Sequence, residues 1–326
     1  MIDIDVKDRK ILYYLSQDGR ASNTHLSKKV GLSKNAVAYR IERLKKLKVI
    51  KHFASIVNLG SLNFTTFTVL LKFNEDIYEN SSIIEYFKSH DYVDWMVSLS
   101  GQWDLFIEFV SRDFNHLTEI IEEIISYFKD TLETYELSYS RVTLRVEHLV
   151  KDFYQDLKLS PIKTSERTKQ IFKLDKIDKQ ILEVLNKDSS LPYLSIAEKL
   201  KTSIDVVRYR ISNLVSKGVI VKFFPEISLP KLGYTEYLYS LRLKNLSSEK
   251  FRDIQNDIKN NNNITYAFVD SVSLRIIFVC AFKSPEAIDH LSRGLRKKYM
   301  GSIDKQEYLI IKEQMLFNLF PRGLTK

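Results

Sequence analysis

Hydrophobic and polar positions change period several times along this chain. Ile4, Ile11, Leu12 and Leu15 fall on one helical face, and Leu26 and Val30 on the next. Ser22, before "NTHLSKKVG", is placed to cap the second helix, Gly31 to end it and Ser33 to cap a third. In the third, Val37, Ile41 and Leu44 share a packed face. "VIKHFASIV" (49–57) then turns to strand chemistry. Three helices followed by a ribbon predict a winged helix-turn-helix.

The following segment mixes periods of two and 3.6. "FTTFTVLLKF" (64–73) reads as a strand and "SSIIEYFKSH" (81–90) as a helix. "DWMVSLSGQWDLFIEFV" (94–110) reads as two strands around a glycine turn. "DFNHLTEIIEEIISYFKD" (113–130) is a helix, and "YELSYSRVTLRVEHL" (135–149) a last strand. This β-α-β-β-α-β order is ferredoxin-like.

The whole pattern then recurs. Shifted by 170 residues, the chain matches itself without gaps, and 20 of the 69 positions from Asp5 to Phe73 are identical. "AVAYRIERL" (36–44) meets "VVRYRISNL" (206–214), and "VIKHF" (49–53) meets "VIVKF" (219–223). Copy two also repeats the second segment, from "YTEYLYSLRL" (234–243) to "QEYLIIKEQMLF" (306–317). A period of this length marks whole domains. The expected organisation is α+β: a winged helix-turn-helix at 1–56, a ferredoxin-like domain at 57–150, a linker at 151–170, a second winged helix at 171–227 and a second ferredoxin-like domain at 228–326. The polar, proline-bearing stretch "DLKLSPIKTSERTKQ" (156–170) supplies the linker.

Composition narrows the function. No apolar run reaches membrane-spanning length, the N-terminal stretch lacks the order of a signal peptide, and a single cysteine, Cys280, excludes a disulfide framework. A cytoplasmic protein without metal or cofactor is expected. The six histidines are scattered and form no paired or triad pattern. The net charge of +9 points to an anionic partner, and residues 33–51 alone carry +6. On the third helix Lys34 and Asn35 occupy the first turn, where a recognition helix reaches base edges, with Ala38, Tyr39 and Lys46 away from the packed face or at its edge. Asparagine pairs with adenine and alanine meets a thymine methyl. Arg43, Lys45, Lys46, Lys48 and Lys51 suit phosphates. Arg40 and its repeat Arg210 border the apolar face, and either contact phosphate or pair with Asp8 and Asp178, which also recur. Ser33 and Ser203 are N-caps in either case. In copy two the candidate reading residues are Asp205, Arg208 and Tyr209; an acid at 205 faces a cytosine amino group or repels phosphate, and Arg208 and Tyr209 partly compensate. With net charges of +8 for 1–56 and +3 for 170–227, copy one is expected to be the stronger DNA reader.

Residues 4–15 and 31–50 resemble the Lrp/AsnC (feast/famine) family of transcription regulators. The likeness lies in Asp5, Asp8, Ile11 and Leu12, then in "DGRAS" (18–22), "GLS" (31–33) and "VAYRIERL" (37–44). It is weaker in copy two, where "DSSLP" (188–192) and "KTS" (201–203) stand instead. It implies that the ferredoxin-like domains are RAM-type effector and oligomerisation domains, that double-stranded DNA is the partner and that an amino-acid-like effector acts near a Gly-x-x-Asp turn. Here that turn supplies Gly101, Gln102 and Asp104; copy two, with "SVSLR" (271–275), lacks both key residues. A siroheme decarboxylase of the same architecture is the main rival. Against it, "VIKHFAS" (49–55) carries no Arg-Arg pair. An architectural DNA-coating protein is a third reading. The ferredoxin-like domains have opposite charge, −10 for 57–150 and +6 for 228–326, which favours pairing acidic with basic, as an intrachain pseudo-dimer or between chains.

Overall fold

The computed structural model describes residues 2, 4–160, 170–270 and 272–325. Most of the expected linker, 161–169, lies outside the described residues. In copy one the elements are α1 (Val6–Gln17), α2 (Asn23–Val30), α3 (Lys34–Lys46), β1 (Ile50–Val57), β2 (Thr65–Phe73), α4 (Ser81–Ser89), β3 (Val93–Ser100), β4 (Leu105–Ser111), α5 (Phe114–Tyr127) and β5 (Leu132–Val146). Copy two repeats them as α6 (Lys176–Lys187), α7 (Tyr193–Leu200), α8 (Ile204–Ser216), β6 (Ile220–Ile227), β7 (Thr235–Leu243), α9 (Ser248–Asn260), β8 (Ile264–Asp270), β9 (Arg275–Phe282), α10 (Pro285–Lys298) and β10 (Ile303–Phe317). The fold is α+β in two copies.

These elements gather into two compact units, and each unit takes one part from each copy: residues 1–62 with 147–234, and 63–146 with 235–326. In the first unit the helices start where local chemistry dictates. Asp5 and Asp8 form a reciprocal capping box on α1, repeated by Asp175 and Asp178 on α6. Gly31 ends α2 at φ 66°, in the left-handed region where a Cβ is penalised. The ribbon expected inside each copy is assembled between them: β1 pairs antiparallel with β6, Ala54 opposite Phe224. α1 packs on β6 and α6 on β1, so each first helix covers the other copy's strand. A two-stranded sheet consists only of edges, which lets Pro225 sit opposite Phe53 without removing a central ladder bond.

In the second unit the two β-α-β-β-α-β segments close one eight-stranded barrel, in the order β10-β3-β4-β2-β5-β8-β9-β7. The copies meet at two antiparallel seams, β5 with β8 and β10 with β3. Leu70, Val97, Leu99, Phe106, Leu238, Phe268, Ile277 and Val279 form a core cluster drawn from both copies. Two further cores bring α4 and α5, and α9 and α10, together mainly with strands of their own copies, with Met315 and Leu316 of β10 reaching the first and Leu144 of β5 the second. Closure removes the open strand edges that each half would otherwise present.

Candidate nucleic-acid interface

The first unit carries α3 and α8, whose start is fixed by serine caps. Ser33 Oγ accepts from Ala36 N at 3.1 Å and Ser203 Oγ from Val206 N at 3.2 Å. Val37, Ile41 and Leu44 are buried, as are Val207, Ile211 and Leu214, so the opposite faces are set outward by packing. On α3 that outward face carries Lys34, Asn35, Tyr39, Glu42 and Lys46, all exposed, with Ala38 half-buried at its margin. On α8 it carries Asp205, Arg208 and Tyr209. The two tyrosines, at equivalent positions, are 71% and 68% exposed. Large aromatic side chains so open to water on both recognition helices contribute nothing to either core.

The arginines bordering the packed face belong to the fold. Arg40 Nη1 donates to Asp5 at 2.7 Å and to the buried Asp8 at 2.9 Å; Arg210 Nη1 donates to Asp175 at 2.5 Å and to Asp178 at 3.4 Å. The choice left open by the sequence therefore falls to the internal ion pair at both positions. Burial by itself would raise the Asp5 carboxyl, but the Asp8 N–H and Arg40 hold it below its ordinary value. Arg43 also donates to Asp8, at 2.9 Å, and Lys45 pairs with Glu42 and lies over the Phe53 ring. Lys51 and His52 both engage Glu226 on β6, each at 2.8 Å. Of the bases expected on phosphate, Lys46 and Lys48 are exposed at and just beyond the end of α3, and Lys51 is exposed as well although it pairs with Glu226.

The two helical modules are tied directly. Gly19 N donates to Phe223 O and Ser189 N to Phe53 O, both at 2.8 Å. Arg20 donates to the carbonyls of Ser189 and Leu191, with its guanidinium over the rings of Tyr193 and Phe223. The repeat comparison held the signal for Arg20, because copy two has Ser190 in its place. His148 is half-buried, with its Nε2 shielded from solvent, and stacks on Phe224 at 3.5 Å; desolvation pushes its imidazole down to about 3.

The second unit carries the turn with Gly101, Gln102 and Asp104. Gly101 takes φ 118°, and a Cβ there would lie 2.9 Å from Leu309 Cδ2. Gln102 Nε2 donates to Glu307 of β10 at 3.2 Å. Asp104 is committed to the turn: it accepts from Phe73 N at 2.8 Å and pairs with Lys72 at 3.1 Å. It also lines a cleft of about 320 Å³, with Lys72, Glu75, Asp76, Tyr78 and Lys312 among the other lining residues. In copy two Ser271 lies outside the described residues. Asp270 accepts from Tyr139 N and Val272 N, and the buried Arg275 joins Asp270, Glu136 and Ser138. Among the described residues no three His, Cys, Asp or Glu side chains converge as a metal site, and no helix is long and apolar enough to cross a membrane.

Comparison with known proteins agrees with this arrangement. A family model for the AsnC-type helix-turn-helix domain matches residues 4–45, and one for winged helix-turn-helix DNA-binding domains matches 174–221. An uncharacterized HTH-type transcriptional regulator of Pyrococcus furiosus is 33% identical over 126 residues, covering 38% of this chain and 81% of the relative. The HTH-type transcriptional regulator LrpA of Pyrococcus horikoshii is 44% identical over 62 residues, 19% of this chain and 44% of LrpA. Among solved structures, the siroheme decarboxylase NirDL shares the tandem fold over 98% of this chain and 97% of its own, with a TM-score of 0.65 at 14% identity.

Proposed function

Because this chain belongs to the Lrp/AsnC family of helix-turn-helix regulators, we propose that it is a sequence-specific transcription regulator whose two unlike recognition helices read one asymmetric duplex site. The observation that carries this is the β1–β6 ribbon, which locks α3 and α8 into one unit while both leave a polar face with a bare tyrosine in water. A homodimer of identical winged helices favours a palindrome; two different helices in one chain remove that demand. An amino-acid-like effector belongs, on this reading, beside the Gly101 turn. There Lys312, and Lys72 shared with Asp104, offer cations to a carboxylate, and Glu75 and Asp76 offer acceptors to an ammonium group.

Titration of the intact chain into labelled duplex DNA at physiological salt, followed by anisotropy, tests the reading. Affinity that differs between sequences and weakens in Tyr39→Ala supports it. Affinity that follows salt alone, identical for every duplex, identifies a DNA-coating protein instead.

A siroheme-decarboxylating enzyme is the second reading, favoured by the fold shared with NirDL along nearly the whole chain. The ribbon segment argues against it, since "VIKHFAS" (49–55) carries no arginine pair and its Lys51 and His52 are both held by Glu226. Absorbance on mixing with siroheme separates the two: a titratable spectral shift favours the enzyme.

A further inference from the structure

Resting on that DNA-binding reading, we infer that Asp205 and Arg208 act together to read a G·C pair, so that the half-site under α8 is G·C-selective while the half under α3 is A·T-selective. The two residues stand three apart on one helical face, within the first two turns after the Ser203 cap. Arg208 Nη1 lies 3.1 Å from Asp205 Oδ1, with the aspartate side chain 89% and the arginine 61% exposed. An isolated pair this open to water adds little to stability. The same helix turns its other arginine, Arg210, inward onto Asp175 and Asp178. α8 thus assigns one guanidinium to the fold and leaves the other outward beside an acceptor.

A lone carboxylate on a recognition helix repels phosphate. The guanidinium beside it offsets that charge and sets a donor fork next to an acceptor. A G·C pair presents the complementary edge: guanine N7 and O6 accept, and the cytosine N4 amino group donates. Adenine in place of guanine puts its N6 donor against the Arg208 donors, and thymine in place of cytosine gives Asp205 nothing to accept. At the equivalent positions α3 has Asn35 and Ala38, which suit adenine N6/N7 and the thymine methyl. Tyr39 and Tyr209 are common to both helices, so they add affinity without making the halves differ.

The test uses the full-length chain and a panel of duplexes built on its enriched sequence, with each of the four base pairs placed in turn under α8. The wild type should favour G·C over A·T by roughly tenfold to a hundredfold at one position. Arg208→Ala should abolish that preference, and Asp205→Asn should shift it toward A·T, while thermal melting of both variants stays at the wild-type value. If Arg208→Ala weakens every duplex equally and makes the salt dependence shallower by about one phosphate contact, Arg208 holds backbone and the inference is overturned. A wild type that binds selected duplexes without G·C preference under α8 overturns this inference alone. A wild type that binds no duplex overturns it together with the reading it rests on.

Discussion

Gly19 and Ser189 hold the same place in the two copies, and each donates its backbone N–H across to the other copy's strand, Gly19 to Phe223 O and Ser189 to Phe53 O, both at 2.8 Å. The reciprocity ties the two helical modules pseudo-symmetrically to the paired strands. The symmetry is broken in the side chains. Ser189 Oγ adds a buried bond to Ala54 O at 2.8 Å, whereas a Cβ at Gly19 would lie 2.6 Å from Phe224 N.

Gly19→Ala should therefore push backbone against backbone and cost about 1–3 kcal/mol, as overpacking in a tight site does. Ser189→Ala should cost about 1 kcal/mol for its lost buried hydrogen bond. Urea denaturation of the two variants checks the order, and a neutral Gly19→Ala would contradict the close approach.

Arg40→Ala should act on stability more than on DNA. It removes a charged hydrogen bond from the buried Asp8, which keeps Arg43, so a loss of about 1–3 kcal/mol is expected. Measured where the variant is fully folded, its affinity for duplex DNA should fall less than that of Tyr39→Ala. The reverse order would return Arg40 to the phosphate backbone.

Glu226 should shape the acid limb of stability. Burial by itself would raise its carboxyl, but hydrogen bonds and charge from His52 and Lys51 override this and hold it at about 2, against an ordinary 4.5. A depressed carboxylate stabilises fully above its unfolded value, and that contribution fades as pH falls from about 4.5 through about 2. Glu226→Gln should lower the denaturation midpoint at neutral pH and flatten its dependence across that window. An unchanged slope would mean that the ribbon does not use this charge.

Much of this architecture was readable because its causes are local. The capping box at Asp5 and Asp8, the serine caps and the left-handed Gly31 each depend on residues within one turn, and the helices begin and end there. What escaped was pairing over long separations. Periodicity makes "VIKHFASIV" a strand but is silent on its partner, so the sequence places the ribbon within a copy whereas β1 pairs with β6. At Arg40 the pattern supplied both the arginine and the aspartates, and only geometry could choose between them and phosphate. The opposite charges of the ferredoxin-like domains were legible, and in the structure Arg275–Glu136 and Arg322–Asp91 join basic copy two to acidic copy one. Most of the seam is still made of strand ladders and apolar side chains.

Arg275 gives that seam a sharp test. It is buried against Asp270, itself fully buried, and reaches Glu136 and Ser138 of β5. Arg275→Met should cost about 3–5 kcal/mol by leaving a buried carboxylate without its guanidinium. Adding Asp270→Asn to that variant should recover part of the loss, and a double-mutant cycle by urea denaturation reads both values.

Enrichment of binding sites from random duplex DNA by the intact chain at physiological salt tests the central claim most directly. Two unlike helices locked in one unit predict a non-palindromic site with two different halves, about one helical turn apart and roughly 34 Å between centres. Recovery of short perfect palindromes, or of no enriched sequence at all, would contradict it.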